Sequence, residues 1–462
     1  MESGRLPKAV LVGVALPETD PVEFERSLDE LERLVKTLGY AVVARVTQAR
    51  DALSPAAVIG EGKVQELAAL TGGSGRLGPV IPRKKDKART RREAGDAEGD
   101  DESDAETDDG EQAADKIELC AVDHDISPSQ ARNLERAVGT PVLDRTGVIV
   151  EIFSRHAKSR EARLEVEIAR LKYTAPRLRE SPSGRERQHL RGSGDTAVEL
   201  DRRRIRDRIA ELREELERIH REQATRRAQR RSQRRVALVG YTNAGKSSLM
   251  RALTGSDVLV KDKLFATLDT TVRALSPETR PRILVSDTVG FIKKLPHDLV
   301  ASFKSTLDEA LEASLLLHVV DASDPAWESQ LAVTRSVLAE IGAGAVTSRV
   351  LMNKIDRLPA ETLAALRHDL HDAWFVSAHD PALVRELHAS IVGFFEASYE
   401  SREFVVPYAR QAIVSEMHEA GRVEAERYEA EGVYVTLRSD RDTLAQFQDK
   451  LRRRESGSDA EL

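Results

Sequence analysis

The chain has 462 residues, with 78 acidic against 71 basic side chains and a formal net charge of −7. That length predicts two to four domains with ample core. A single cysteine, Cys120, excludes an internal disulfide, and 4% aromatic content argues against an RNA platform built on stacked aromatic residues. No run of eighteen apolar residues occurs, so no membrane insertion is expected. Val10–Leu16 is too short for a signal peptide and lacks a cleavage pattern, so a reducing, cytoplasmic setting is expected.

Taken in order, residues 8–150 read as a small α/β domain. Ala9–Val14 predicts a strand, Phe24–Leu38 a helix with apolar residues at helical spacing, Ala41–Ala44 a strand and Lys63–Leu70 a helix. The turn Ile59-Gly60-Glu61-Gly62-Lys63 reads as a helix entry more readily than as a phosphate cradle. Residues 83–115 interrupt this pattern with seven basic residues in Arg83–Arg92 and then an acidic tract, a composition that predicts a disordered insertion. Ile117–Val122 is the next strand, and Ser127-Pro128 is a helix start with an N-cap and proline at the first helical position. Val142–Arg145 predicts a short strand and Val148–Tyr173 one charged helix.

Residues 151–234 read as a helical coiled-coil linker. Its Gly/Ser/Arg loop, 181–195, suits insertion against a phosphate backbone. From Glu199 to Arg234 a long helix is expected, with Ile205, Ile209, Leu212, Leu216 and Ile219 forming a seam short enough to close within one chain, so a monomer is expected. Its arginines, ending Arg226-Arg227, Arg230-Arg231 and Arg234-Arg235, predict an RNA-facing surface.

The motifs that carry chemistry lie in 235–400. Gly240-Tyr241-Thr242-Asn243-Ala244-Gly245-Lys246-Ser247 is a complete G-x-x-x-x-G-K-[ST] between a predicted strand, Arg235–Val239, and a predicted helix. Its backbone N–H groups and the helix N-terminus suit a phosphate chain; Lys246 suits the β- and γ-phosphates, and Ser247 suits Mg²⁺. Asp287-Thr288-Val289-Gly290 follows a strand as a D-x-x-G, with Asp287 placed to hold Mg²⁺ through water and the Gly290 N–H to sense the γ-phosphate. Phe265-Ala266-Thr267-Leu268-Asp269-Thr270-Thr271 offers three threonines as a second Mg²⁺ ligand. Asn353-Lys354-Ile355-Asp356, after the strand Ser348–Met352, is a guanine reader: a buried Asp356 carboxylate would accept from N1–H and the exocyclic amine that adenine lacks. Ser377-Ala378-His379 fits the last base-contacting loop. Phe291 occupies the place where many GTPases carry a water-orienting glutamine, which predicts slow hydrolysis until a partner orders the site. A small α+β tail domain, 403–454, is expected from strands at Phe404–Pro407, Val423–Tyr428 and Gly432–Leu437 and a helix at Arg410–Ala420.

With Ile126–Tyr173, Gly240–Met250, Leu264–Asp269, Asp287–Ile292 and Asn353–Asp356 in hand, the chain resembles the HflX family of ribosome-associated P-loop GTPases. The resemblance implies an α/β fold: a P-loop GTPase domain preceded by a small α/β domain and a helical linker, and followed by the tail. It also implies Thr267 as the switch threonine, so that Lys246, Thr267 and Gly290 serve catalysis and Ser247 and Thr267 hold Mg²⁺. The implied partners are GTP and GDP, the large ribosomal subunit and its RNA, and the implied role is splitting or rescue of stalled ribosomes. The family's amino-terminal domain is associated with ATP and RNA unwinding, which makes an ATP-driven remodeller one alternative and a GTP-gated binding module another. Two departures stand out: Gly192-Ser193-Gly194 in place of the family's Gly-Pro-Gly, and Asp269-Thr270-Thr271 in place of Asp-Pro-Thr.

Overall fold

In the computed structural model the described residues are 6–77, 116–178, 197–228, 234–255, 264–265, 271–293 and 309–452. The expected insertion, the Gly/Arg loop and Thr267 lie outside them. By compactness the chain divides into Met1–Arg155 with Val166–Glu211, and His156–Glu165 with Leu212–Leu462.

The first unit is built on a four-stranded parallel sheet, order β2-β1-β3-β4, from β1 (Lys8–Ala15), β2 (Ala41–Ala49), β3 (Ile117–Val122) and β4 (Val142–Asp144). Six consecutive residues of β1 are buried, the mark of a strand covered on both faces. Its helices include α1 (Pro21–Thr37), α2 (Glu61–Thr71) and α3 (Pro128–Val138). Ser127 caps α3 in a reciprocal capping box with Gln130. Gly60 is the N-cap of α2 and its N–H donates to Gln48 Oε1 (2.8 Å), so this turn is a helix entry. The single helix expected over Val148–Tyr173 is in fact two, α4 (Arg145–His156) and α5 (Arg160–Thr174). Ser159 causes the break by accepting from the Ala162 N–H (3.1 Å), a side-chain cap that competes with continued helix. Arg145, 2% exposed, pairs with Glu30 and with Asp123 (2.8 Å). Asp144 accepts from Tyr173 Oη (2.9 Å), the Gly147 N–H (2.8 Å) and Arg177 (2.5 Å).

The second unit carries a six-stranded sheet, order β10-β9-β8-β5-β7-β6. Its strands are β5 (Arg234–Gly240), β6 (Thr271–Ala274), β7 (Ile283–Asp287), β8 (Leu315–Asp321), β9 (Ser348–Asn353) and β10 (Trp374–Phe375), all parallel except β6. Helices α7 (Lys246–Thr254), α8 (Trp327–Glu340), α9 (Ala360–Asp369) and α10 (Pro381–Glu396) belong to it. The tail is a three-stranded antiparallel sheet, order β11-β13-β12, from β11 (Glu400–Val406), β12 (Arg422–Glu429) and β13 (Gly432–Ser439), with helices α11 (Ala412–Ala420) and α12 (Arg441–Arg452). The sequence did not suggest α12, because it buries only Leu444 and Phe447 in an otherwise charged stretch.

The long helix α6 (Ala197–Ala228) ends before Arg234, which opens β5. Arg234 and Arg235 are therefore not RNA-facing. Arg234 pairs with Asp440 and lies over the Tyr399 ring (4.8 Å), and Arg235 pairs with Glu312, both guanidinium groups being buried. Between Glu199 and Glu222 the helix has eight arginines and eight acidic residues, so this segment has no basic excess. Its seam faces inward, with Leu212 buried and Ile205, Ile209, Leu216 and Ile219 half-buried.

Candidate functional site

The site forms at the carboxyl ends of β5, β7 and β9, where open α/β sheets place ligand-binding loops. Every residue of β5 is buried, which fixes the start of the following loop. Gly240 (φ +153°) passes so close to β8 that a Cβ would lie 2.2 Å from the Val319 carbonyl oxygen. Gly245 (φ +94°) leaves the same clearance for the Asn353 amide nitrogen and caps α7.

Lys246 opens α7 and is buried, donating to the carbonyls of Gly240 (3.0 Å) and Tyr241 (2.8 Å). Burial pushes its ammonium down to about 8, against the pull of Asp287. The Ser247 hydroxyl donates to Asp287 Oδ2 (2.7 Å), which places two hard oxygen donors side by side at the foot of the loop. That donor set fits Mg²⁺. Thr271, one of the three candidate threonines, lies in β6 opposite Asp287 in register.

The D-x-x-G segment packs directly on the loop. A Cβ on Gly290 would stand 2.9 Å from Thr242 Cα and 3.1 Å from Lys246 Nζ, so only glycine fits. Thr288 turns inward, its hydroxyl donating to the Leu238 carbonyl (2.8 Å), and Val289 is buried. Phe291 is 3% exposed and bridges to the loop through its backbone. Its side chain is a packed aromatic. Tyr241 likewise serves structure, its hydroxyl accepting from the Lys293 N–H (2.6 Å).

The third loop is tied to the first. Asn353 Nδ2 donates to the Ala244 carbonyl (2.9 Å), and Asn353 Oδ1 accepts from the Ala378 N–H (3.3 Å). Lys354, at φ +62°, donates to the Asn243 carbonyl (2.7 Å) and to Asp321 Oδ2 (2.7 Å). Ile355 is buried in an apolar cluster. Asp356 is exposed where a buried carboxylate was expected, while its neighbour Ile355 is buried. A hydrogen bond from the Ser377 side chain holds its carboxyl below the usual range, with His379 and Arg357 adding to that. His379 follows with its N–H on Ser377 Oγ (3.3 Å).

Thus Asp287, Gly290, Asn353 and Lys354 converge on the loop that carries Lys246 and Ser247, and Ser377 joins through Asp356. Ala266, Thr267, Leu268 and Asp269 lie outside the described residues, and their neighbour Phe265 is buried at φ +55°. Asp321 was not singled out from sequence; the signal available was an acidic residue ending the strand before the Asn-Lys-x-Asp strand.

Among the described residues no helix is long and apolar enough to cross a membrane. Three family models match the chain: a GTP-binding GTPase N-terminal region over 25–77 and 106–154, a GTP-binding GTPase middle region over 156–230, and a 50S ribosome-binding GTPase over 235–354. Among solved structures, a complex of SsGBP and GDP is 23% identical, covers 84% of this chain and 98% of its own, and has a TM-score of 0.45. The GTPase HflX of Caldanaerobacter subterraneus is 35% identical, with 93% of this chain and 90% of the relative covered. The GTPase HflX of Gluconacetobacter diazotrophicus is 60% identical, with 94% and 95% covered. On the three family models and the two HflX relatives, and with the three motif loops joined as described, the chain belongs to the HflX family of GTPases.

Proposed function

We propose that this GTP-binding GTPase acts in the cytoplasm on the large ribosomal subunit, splitting or rescuing stalled ribosomes as it hydrolyses GTP to GDP and phosphate. The observation that carries the reading is the match of residues 235–354, which contain the whole phosphate-binding constellation, to a family described as 50S ribosome-binding. The exposed arginines of α6 offer RNA contacts, and the basic excess of the sequence falls at Arg226–Arg231 and in the loop 181–195.

In this reading the loop Gly240–Ser247 wraps the phosphates with its N–H groups, and Lys246 exchanges its two carbonyl partners for phosphate oxygens. The Gly290 N–H reports the γ-phosphate to the switch, and Asp356, with Ser377 and Ala378, reads guanine. Ser247 and Thr267 would hold Mg²⁺, with Asp287 hydrogen-bonded to Ser247, and the ion would neutralise charge on the nucleotide phosphates. The Phe291 side chain is buried, so this position offers the attacking water no orienting group; hydrolysis is slow alone and speeds up on the ribosome.

The test is GTP turnover by the purified chain with and without large ribosomal subunits, beside Lys246→Ala. Strong stimulation that vanishes in the variant supports the proposal. GTP binding without stimulation overturns it.

A further inference from the structure

Strands β8 and β9 run parallel in a register that sets Asp321 opposite Asn353, the first residue of the guanine-reading motif. One residue on, Lys354 reaches back, and its ammonium spans the Asn243 carbonyl and Asp321 Oδ2, both at 2.7 Å. The pair is mostly sheltered, with side-chain exposures of 14% and 17%. The other carboxylate oxygen, Oδ1, accepts from the Ser323 N–H (3.0 Å) and hydroxyl (2.6 Å), so the carboxylate is held from both sides. The end of β8, the base-reading loop and the phosphate loop are thereby joined through one lysine.

We propose that Asp321 is a positioning residue for the guanine nucleotide, acting through Lys354. A lysine ammonium is a flexible point charge on a four-carbon stem, and two fixed acceptors 2.7 Å away restrict it to one place. Held there, the stem lies ready for the base plane before nucleotide arrives, which lowers the ordering cost of binding. The inference rests on the proposed base-reading role of the Asn353–Asp356 loop, with the Lys354 stem along the base plane. A bland role also exists for Asp321, capping the turn after β8 through Ser323, and the experiment separates the two.

The measurement is the release rate of a fluorescent GDP analogue and of its GTP counterpart from the full chain. GTP turnover at saturation is followed alongside. Asp321→Ala is expected to speed release of both nucleotides on the order of ten- to a hundred-fold. Turnover at saturating GTP should change by less than about twofold, since the effect is on uniform binding. Asp321→Asn, which keeps an acceptor for Ser323, should fall between, and it carries the test if the alanine variant does not fold. On a Lys354→Ala background, Asp321→Ala should add nothing. Unchanged release, or the same acceleration in both backgrounds, overturns the proposal and leaves Asp321 as a turn cap. Asp356→Ala is the separate control: if it still binds GTP tightly and selectively, it is the base-reading assignment that fails.

Discussion

The Phe291 carbonyl accepts from the Thr242 N–H at 2.8 Å, while the Phe291 N–H donates to the Gly240 carbonyl at 3.1 Å. The switch backbone is thus stitched to the phosphate loop, and the phenylalanine ring goes into the core. Replacing Phe291 by glutamine is therefore expected to give no faster unassisted hydrolysis. It should instead cost about 1–3 kcal/mol of stability, because an amide enters an apolar site without partners. Turnover and urea unfolding of Phe291→Gln check this, and a faster enzyme of unchanged stability would count against it.

Lys246 makes nucleotide affinity depend on pH. Burial lowers its ammonium from 10.5 to about 8 in the nucleotide-free protein, and bound phosphate favours the protonated form. As pH rises through 8, the free protein loses a proton that binding must restore. GDP affinity should then fall by about tenfold per pH unit above that point. Titrations from neutral to alkaline pH test this. Lys246→Arg, which does not titrate there, should give a flat profile of its own.

His318, on β8, is 4% exposed, and among the described residues its Nδ1 has no hydrogen-bond partner. Burial, helped by the nearby Arg335 charge, pushes its imidazolium down from 6.5 to about 4. The unfolded chain therefore takes up a proton first. Stability is full above 6.5, falls as pH drops from there towards 4, and levels off below. The total loss is about 3 kcal/mol. Denaturation midpoints for the second unit across this window should show the fall, and His318→Phe should remove most of it.

Arg145 is the largest fully buried side chain among the described residues of the first unit and bridges Glu30 and Asp123. Removing it leaves two sheltered carboxylates without their guanidinium. Arg145→Ala should destabilise this unit by about 3–5 kcal/mol. Chemical denaturation monitored in the first unit is the check; a change below about 1 kcal/mol would show that the carboxylates relax into water.

Most strands and helices were legible because their signals are local. Continuous apolar runs such as Val236–Val239, the Ser127-Pro128 start and the glycine spacing of Gly240–Ser247 specify backbone states within a few residues. The motif residues were named on the same ground, since each loop carries its own chemistry. Elements were missed where the local signal was weak or competed. The charged α12 hides its two core residues, and Ser159 cuts a helix that periodicity alone continues.

By itself, then, the sequence determined a P-loop nucleotide-binding α/β chain with a guanine-reading motif. Only the tertiary structure decided where individual side chains go. It drew Arg234 and Arg235 out of a presumed basic surface into buried ion pairs, because their partners Asp440 and Glu312 lie far along the chain. It left Asp356 exposed and buried Phe291, and it joined Asp321 to Lys354 through strand register. Local sequence sets backbone conformation over short spans, whereas burial and ion pairing depend on residues that meet only when the sheet is assembled.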